Sequence, residues 1–108
     1  DADSHERLLL VLGVLGDKDA RSILADLLPL AHVALFTRSG SRRAVDPGEL
    51  EALGREVGAS STRVHSSVPD ALDAALAEAG PRDLVCVTGS LTTVGEARSH
   101  LRRLGRLR

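Results

Sequence analysis

The residues best suited to chemistry fall in three short stretches. Gly16-Asp17-Lys18-Asp19 sets one cation between two acids directly after an apolar run. Arg38, Arg42 and Arg43 crowd a polar loop with Ser39, Gly40 and Ser41. Thr88-Gly89-Ser90 follows Leu84-Val85-Cys86-Val87 and opens a helical pattern. A lysine ammonium neutralises phosphate or carboxylate charge as a compact point, whereas one well-held arginine grips a carboxylate as a planar fork. Asp17 or Asp19 beside it suits the orientation of an amine or a metal-bound water. A serine at a helix start stands beside free backbone amides that favour an anion. Each stretch also admits a plainer role. Asp17 or Asp19 then caps a helix, Lys18 and at least two of the arginines are solvated, and Ser90 is an N-cap worth about 1 kcal/mol. Neither GxGxxG nor GxxxxGK[ST] occurs, which excludes a dinucleotide fingerprint and a phosphate loop of those kinds.

These stretches must be positioned by the elements between them. Arg7 to Leu15 is a continuous apolar run closed by Gly16-Asp17, which predicts a strand buried on both faces. Ala20 to Leu30 changes to a helical period through Ile23, Leu24, Leu27 and Leu28, with Pro29 at its end. His32 to Thr37 predicts a second strand. Asp46-Pro47 with Glu49 marks a helix start, and Leu50, Leu53 and Val57 face inward before Gly58. Thr62 to His65 is a weak strand. A third helix begins at Ser67 or Asp70 and ends at Gly80-Pro81. Asp83 to Val87 predicts the last buried strand, with Cys86 as a small apolar core residue. Val94, Ala97, Leu101 and Leu104 then trace a fourth helix from Gly89-Ser90.

Strand and helix alternate throughout. The fold class expected is therefore α/β, a Rossmann-like three-layer sandwich with a mostly parallel sheet and helices on both faces. Residues 1–108 read as a single domain. In such sheets ligands sit beyond the carboxyl ends of the strands, where strand order reverses. The chemical stretches all lie at those ends.

Composition narrows the function further. The 108 residues carry a net charge of −1, with 14 basic against 15 acidic side chains, so no bulk electrostatic grip on nucleic acid or an anionic membrane is expected. Phe36 is the only aromatic residue, which removes the stacking platforms used for single strands. The arginine-rich end, Arg98 to Arg108, suits the negative pole of a helix. The longest apolar run, Leu8 to Leu15, falls far short of the ~20 residues that span a bilayer. One cysteine allows no internal disulfide, and His5, His32, His65 and His100 have no metal-pair spacing. A soluble, cytoplasmic domain without a metal site of its own is expected. Arginine outnumbers lysine 13 to 1, which sets Lys18 apart.

Three blocks together carry a resemblance. Leu10-Val11-Leu12-Gly13-Val14-Leu15-Gly16-Asp17-Lys18-Asp19 is similar to the "LGxLxDKD" block of folylpolyglutamate synthases and bifunctional dihydrofolate synthases. Thr37-Arg38 through Ser41-Arg42-Arg43-Ala44-Val45-Asp46-Pro47 resembles their "T…SPRALDP" segment, with Arg42 in place of the usual proline. Asp83-Leu84-Val85-Cys86-Val87-Thr88-Gly89-Ser90-Leu91 resembles "DLVLVTGSLY", with Thr92 where some members carry an aromatic or histidine. The resemblance covers nearly the whole chain. It is to the C-terminal domain of that family within the muramyl ligase superfamily, here truncated at its N-terminal edge.

The resemblance implies an ATP-dependent ligase that phosphorylates the terminal carboxylate of a folate or dihydropteroate and lets the amine of L-glutamate attack the acyl phosphate. ATP and Mg2+ would be held mainly by an N-terminal ATPase domain that this sequence lacks, together with the family's Asp-Gly-Ala-His-Asn-Pro motif. The isolated chain is therefore expected to be inactive. By the same resemblance Lys18, Asp17 and Asp19 would be catalytic, and Arg43, Gly89 and Ser90 would bind glutamate or the acyl phosphate. The alternative is a stand-alone Rossmann-like ligand-binding or regulatory module. A phospho-receiver would need a late lysine and a flavin domain several aromatics, whereas the only lysine is the early Lys18 and the only aromatic is Phe36.

Overall fold

A computed structural model describes residues 6–16 and 18–106. Its elements run β1 (Leu8–Gly13), α1 (Ala20–Leu27), a 3-10 turn (Leu28–Leu30), β2 (Val33–Phe36), α2 (Pro47–Glu56), β3 (Thr62–Val64), α3 (Val68–Glu78), β4 (Leu84–Gly89) and α4 (Leu91–Arg103). The strands form one parallel sheet in the order β3-β2-β1-β4, so strand order reverses between β1 and β4. This is the α/β sandwich the alternation predicts. The helix expected to reach Leu30 instead tightens into the 3-10 turn at Leu28. Pro29 has no N–H with which to continue the α-helical ladder.

Each remaining helix starts at a side-chain cap. The Asp46 carboxylate accepts from the N–H groups of Gly48 (3.0 Å) and Glu49 (3.2 Å), with Pro47 in the first turn. Ser67 accepts from the Asp70 N–H at 3.2 Å, which makes Ser67 rather than Asp70 the start of α3. α4 ends in His100, Arg102 and Arg103, where cations favour the helix dipole.

The core lies on both sides of the central strands. Leu10, Leu12, Ala34 and Phe36 pack under Leu24, Leu28 and Leu50 from α1, the 3-10 turn and α2. On the opposite face Leu9, Val11, Val33 and Leu35 meet Ala71 and Ala75 of α3, while Val68, Leu72 and Ala97 close over Val85 and Val87. Full burial of a Leu or Phe side chain contributes about 1.5–3 kcal/mol, so these layers supply most of the driving force.

β4 corrects the expectation of a last strand buried on both sides. It is an edge strand, and the α1/α2 side of the core includes none of its residues. Leu84 is 53% exposed and Cys86 is exposed rather than in the core. The reason is topological. α1 and α2 connect β1, β2 and β3 and so lie over those strands, while α3 and α4 cover only the other face of β4.

The end of the sheet at the amino ends of β1 and β4 is closed by charge. The Arg7 guanidinium donates to Asp83 through Nε (3.1 Å) and a terminal nitrogen (2.9 Å), and to the Glu78 carbonyl at 3.1 Å. Asp83 also accepts the Gly80 N–H at 2.8 Å. The Gly80 amide first, and then Arg7, hold the Asp83 carboxyl below the usual carboxylate range.

Two predictions follow from this frame. In the folded state the Asp83 carboxyl titrates below its unfolded value of about 3.9, so its charged form stabilises the fold above about pH 4 and that contribution is lost as pH falls through the folded value. The gap in urea midpoint between the parent chain and Asp83→Asn should therefore be widest near neutral pH and shrink below about pH 4. A gap independent of pH would mean that the ion pair carries no linkage. The second prediction concerns Gly89, where φ is +118° and a Cβ would collide with the Gly13 carbonyl oxygen. Gly89→Ala should lower stability by more than about 1 kcal/mol. By contrast Gly95→Ala, in the open on α4, should raise it by about 0.5–1 kcal/mol in the same urea titration.

Candidate functional site

At the point where strand order reverses, the carboxyl ends of β1 and β4 open a cleft of about 460 Å3. It is lined by Val14, Leu15, Lys18, Ile23, Arg43, Gly89, Ser90, Leu91 and Thr92. The chain reaches the cleft by three routes. After β1 a turn closed by Lys18 N–H to the Leu15 carbonyl (3.1 Å) brings Lys18 to the rim. The loop after β2 is stitched back onto this turn by an antiparallel bridge between Leu15 and Ala44. The Gly16 N–H donates to the Arg43 carbonyl at 2.6 Å and the Val45 N–H to the Val14 carbonyl at 2.9 Å. Arg43, distant in sequence, is thereby fastened beside the β1 turn. The third route is the Gly89-Ser90 corner, where the Ser90 N–H donates to the Gly13 carbonyl at 2.9 Å and the Ser90 hydroxyl caps α4 by accepting from the Thr93 N–H at 3.2 Å.

Hydroxyls join these routes laterally. Ser39 Oγ lies 2.9 Å from Thr92 Oγ1, Thr92 Oγ1 lies 3.0 Å from Ser90 Oγ, and Ser90 Oγ lies 2.9 Å from Thr93 Oγ1. Thr93 Oγ1 in turn donates to the Gly13 carbonyl at 3.3 Å. The Glu96 carboxylate accepts the Gly40 N–H at 2.8 Å, a second tie between α4 and the β2 loop.

The structure thus brings Lys18, Arg43, Gly89 and Ser90 to one cleft. Asp19 is not among the lining residues. It is the N-cap of α1, accepting from Ser22 Oγ at 2.7 Å and Ser22 N–H at 3.2 Å, and these bonds, the hydroxyl's first, hold its carboxyl below the usual range. Asp17 lies outside the described residues. Arg38 and Arg42 do not line the cleft. Sequence reasoning missed the apolar walls from Val14, Ile23 and Leu91, and it missed the part played by Thr92. Its one available signal was the run of hydroxyls Ser90, Thr92 and Thr93 in the first turn of a helix.

Among the described residues, the ionisable ones that line the cleft are Lys18 and Arg43, and α4 directs its positive end there. The arrangement can hold and orient anionic oxygens of a carboxylate or phosphate. Among the described residues no group of His, Cys, Asp and Glu could hold a metal ion, so the magnesium implied by the resemblance is not assigned to them. No helix among them is long and apolar enough to cross a membrane.

Comparison with known proteins identifies the domain. Residues 1–91 match the family described as Mur ligase, glutamate ligase domain. The dihydrofolate synthase/folylpolyglutamate synthase of Mycobacterium tuberculosis is 36% identical over 106 residues, covering 85% of this chain and 22% of that protein. A probable bifunctional folylpolyglutamate synthase/dihydropteroate synthase of Halobacterium salinarum is 37% identical over 99 residues, covering 92% of this chain but 12% of that protein. Among solved structures, E. coli FolC in complex with DHPP and ADP superposes with a TM-score of 0.85 at 27% identity, over 95% of this chain and 24% of that one. The chain therefore spans about a quarter or less of the length of the relatives it matches. By sequence and by fold, the chain belongs to the Mur ligase family, in its glutamate ligase domain.

Proposed function

We propose that this chain is the C-terminal domain of an ATP-dependent ligase that adds L-glutamate to a folate, and that its cleft holds the incoming glutamate against an acyl phosphate. The convergence of Lys18, Arg43 and Ser90 at the β1/β4 reversal carries the reading. Glutamate presents two carboxylates that must be held while its amine stays free. The Arg43 guanidinium suits one, as a bidentate fork, and the Ser90 hydroxyl with the first amides of α4 suits the other. Lys18 faces the phosphate, where it offsets the charge that develops as the amine attacks. The C–N bond forms as the C–O bond to phosphate breaks, phosphate leaves and the amine loses a proton. Fixing both carboxylates makes that attack close to unimolecular, which is where much of the rate of a two-substrate ligation arises. Gly89 contributes by letting the strand end approach β1, and Asp19 by fixing the start of α1 just after Lys18.

ATP and Mg2+ would be supplied by an N-terminal ATPase domain of the same polypeptide, and the folate or dihydropteroate would lie between the two domains. With those substrates the ligase would act in the cytoplasm, and the isolated chain would not turn over. The test is steady-state kinetics in a full-length ligase carrying this domain. Arg43→Ala and Ser90→Ala should raise the KM for glutamate and leave that for ATP nearly unchanged. Lys18→Ala should cut kcat strongly, with only partial rescue by Lys18→Arg, because a guanidinium does not reproduce a compact ammonium. Normal glutamate KM in both variants, or an effect of Arg42→Ala in place of Arg43→Ala, would overturn the pocket.

A further inference from the structure

The hydroxyl ladder at the cleft has only one self-consistent direction. Ser39, Thr92, Ser90 and Thr93 each carry a single hydroxyl hydrogen. They make four contacts, Ser39–Thr92, Thr92–Ser90, Ser90–Thr93 and Thr93 to the Gly13 carbonyl. A carbonyl oxygen only accepts, so the Thr93 hydrogen is committed to Gly13. Ser90 must then donate to Thr93, Thr92 to Ser90, and Ser39 to Thr92. The Ser39 oxygen is occupied in turn by the Ser41 N–H at 3.3 Å, and Ser39 is buried, 3% exposed. The ladder thus begins in a fixed position on the β2 loop and ends on the last residue of β1.

This direction bears on how Ser90 could hold an anion. A carboxylate is acceptor-only, so Ser90 serves it only by turning its hydrogen away from Thr93. Thr93 tolerates the loss, since its own hydrogen stays on the Gly13 carbonyl. The Ser90 oxygen meanwhile accepts from both the Thr93 N–H and the Thr92 hydroxyl, and accepted bonds of this kind polarise the remaining O–H. We propose that Thr92, steered by Ser39, is a positioning residue whose donated hydrogen bond holds the Ser90 oxygen in place at the cleft, from where its hydrogen can turn to the substrate carboxylate. The inference rests on the glutamate pocket proposed above and adds to it a residue outside the Lys18, Arg43 and Ser90 set. It also gives a physical reason for the β2 loop and α4 to be joined by side chains, since the same ladder links the Arg43 loop to the helix that bears Ser90.

The test compares Thr92→Val, which keeps the shape but loses the hydroxyl, with Thr92→Ser, which restores it, in the full-length ligase. Thr92→Val should raise the KM for glutamate about fivefold, the scale of one hydrogen bond, with kcat and the KM for ATP nearly unchanged. Thr92→Ser should return it to within about twofold of the parent, again judged on that one-bond scale. Because Thr92 is exposed at the rim, its loss should leave the urea midpoint of the 108-residue chain nearly unmoved. An unaltered glutamate KM in Thr92→Val, or failure of Thr92→Ser to restore it, overturns the inference. If in addition Ser90→Ala leaves the glutamate KM normal, the pocket itself is wrong. If Ser90→Ala raises it and Thr92→Val does not, the pocket stands and only the role of Thr92 is lost.

Discussion

The carbonyl of Gly13 is the point on which the candidate site depends. It is the last residue of β1, paired in register with Gly89 at the end of β4, and it accepts both the Ser90 N–H and the Thr93 hydroxyl. So close an approach leaves no room for a side chain on either strand. A Cβ on Gly13 would meet Thr93 Oγ1 at 2.7 Å, and one on Gly89 would meet Gly13 itself. Because the pair is bare, the start of α4 is brought directly against the end of the central strand. The helix cap, the hydroxyl ladder and one wall of the cleft all follow from that contact.

The rest of the fold holds this junction rigid from behind. β1 is flanked by β2 and β4 and packed on both faces, so its end is among the least mobile places in such a domain. The candidate groups themselves stand on turns. That division sets exposed side chains on short connections above a stiff strand, the usual placing of binding residues on a rigid scaffold. The edges of the sheet differ accordingly. β3 is short and carries Arg63, paired with Glu78, as edge strands commonly do. β4 is long and apolar, and one of its faces lies outside the core. Family members of four or more times this length supply much more polypeptide than is present here.

Local signals were strong enough to make the alternation of strands and helices legible. Asp46-Pro47, Ser67 and Ser90 name their own helix starts, because a capping side chain acts on amides within three residues. The three chemical stretches were legible for a related reason: each follows an apolar run, and in a parallel sheet the ends of such runs share one edge. What local patterns do not contain is lateral order. An apolar strand looks alike at the centre and at the edge, so Cys86 and Leu84 read as core although β4 has a single neighbour. Asp17 and Asp19 looked equivalent around Lys18, yet Asp19 is turned to Ser22 by the helix it caps.

The sequence alone thus determined the class of fold, the places where helices begin, and the residue types available to an anion site. These depend on interactions between near neighbours and on the periodicity of apolar residues. Only the tertiary structure decided that Arg43 stands beside Lys18, through the Leu15–Ala44 bridge. It also decided that Thr92 reaches Ser39, and that β4 rather than β2 forms the outer wall of the cleft. Those outcomes depend on which strands pair and on hydrogen bonds between backbone groups, which every residue carries and no side-chain pattern distinguishes.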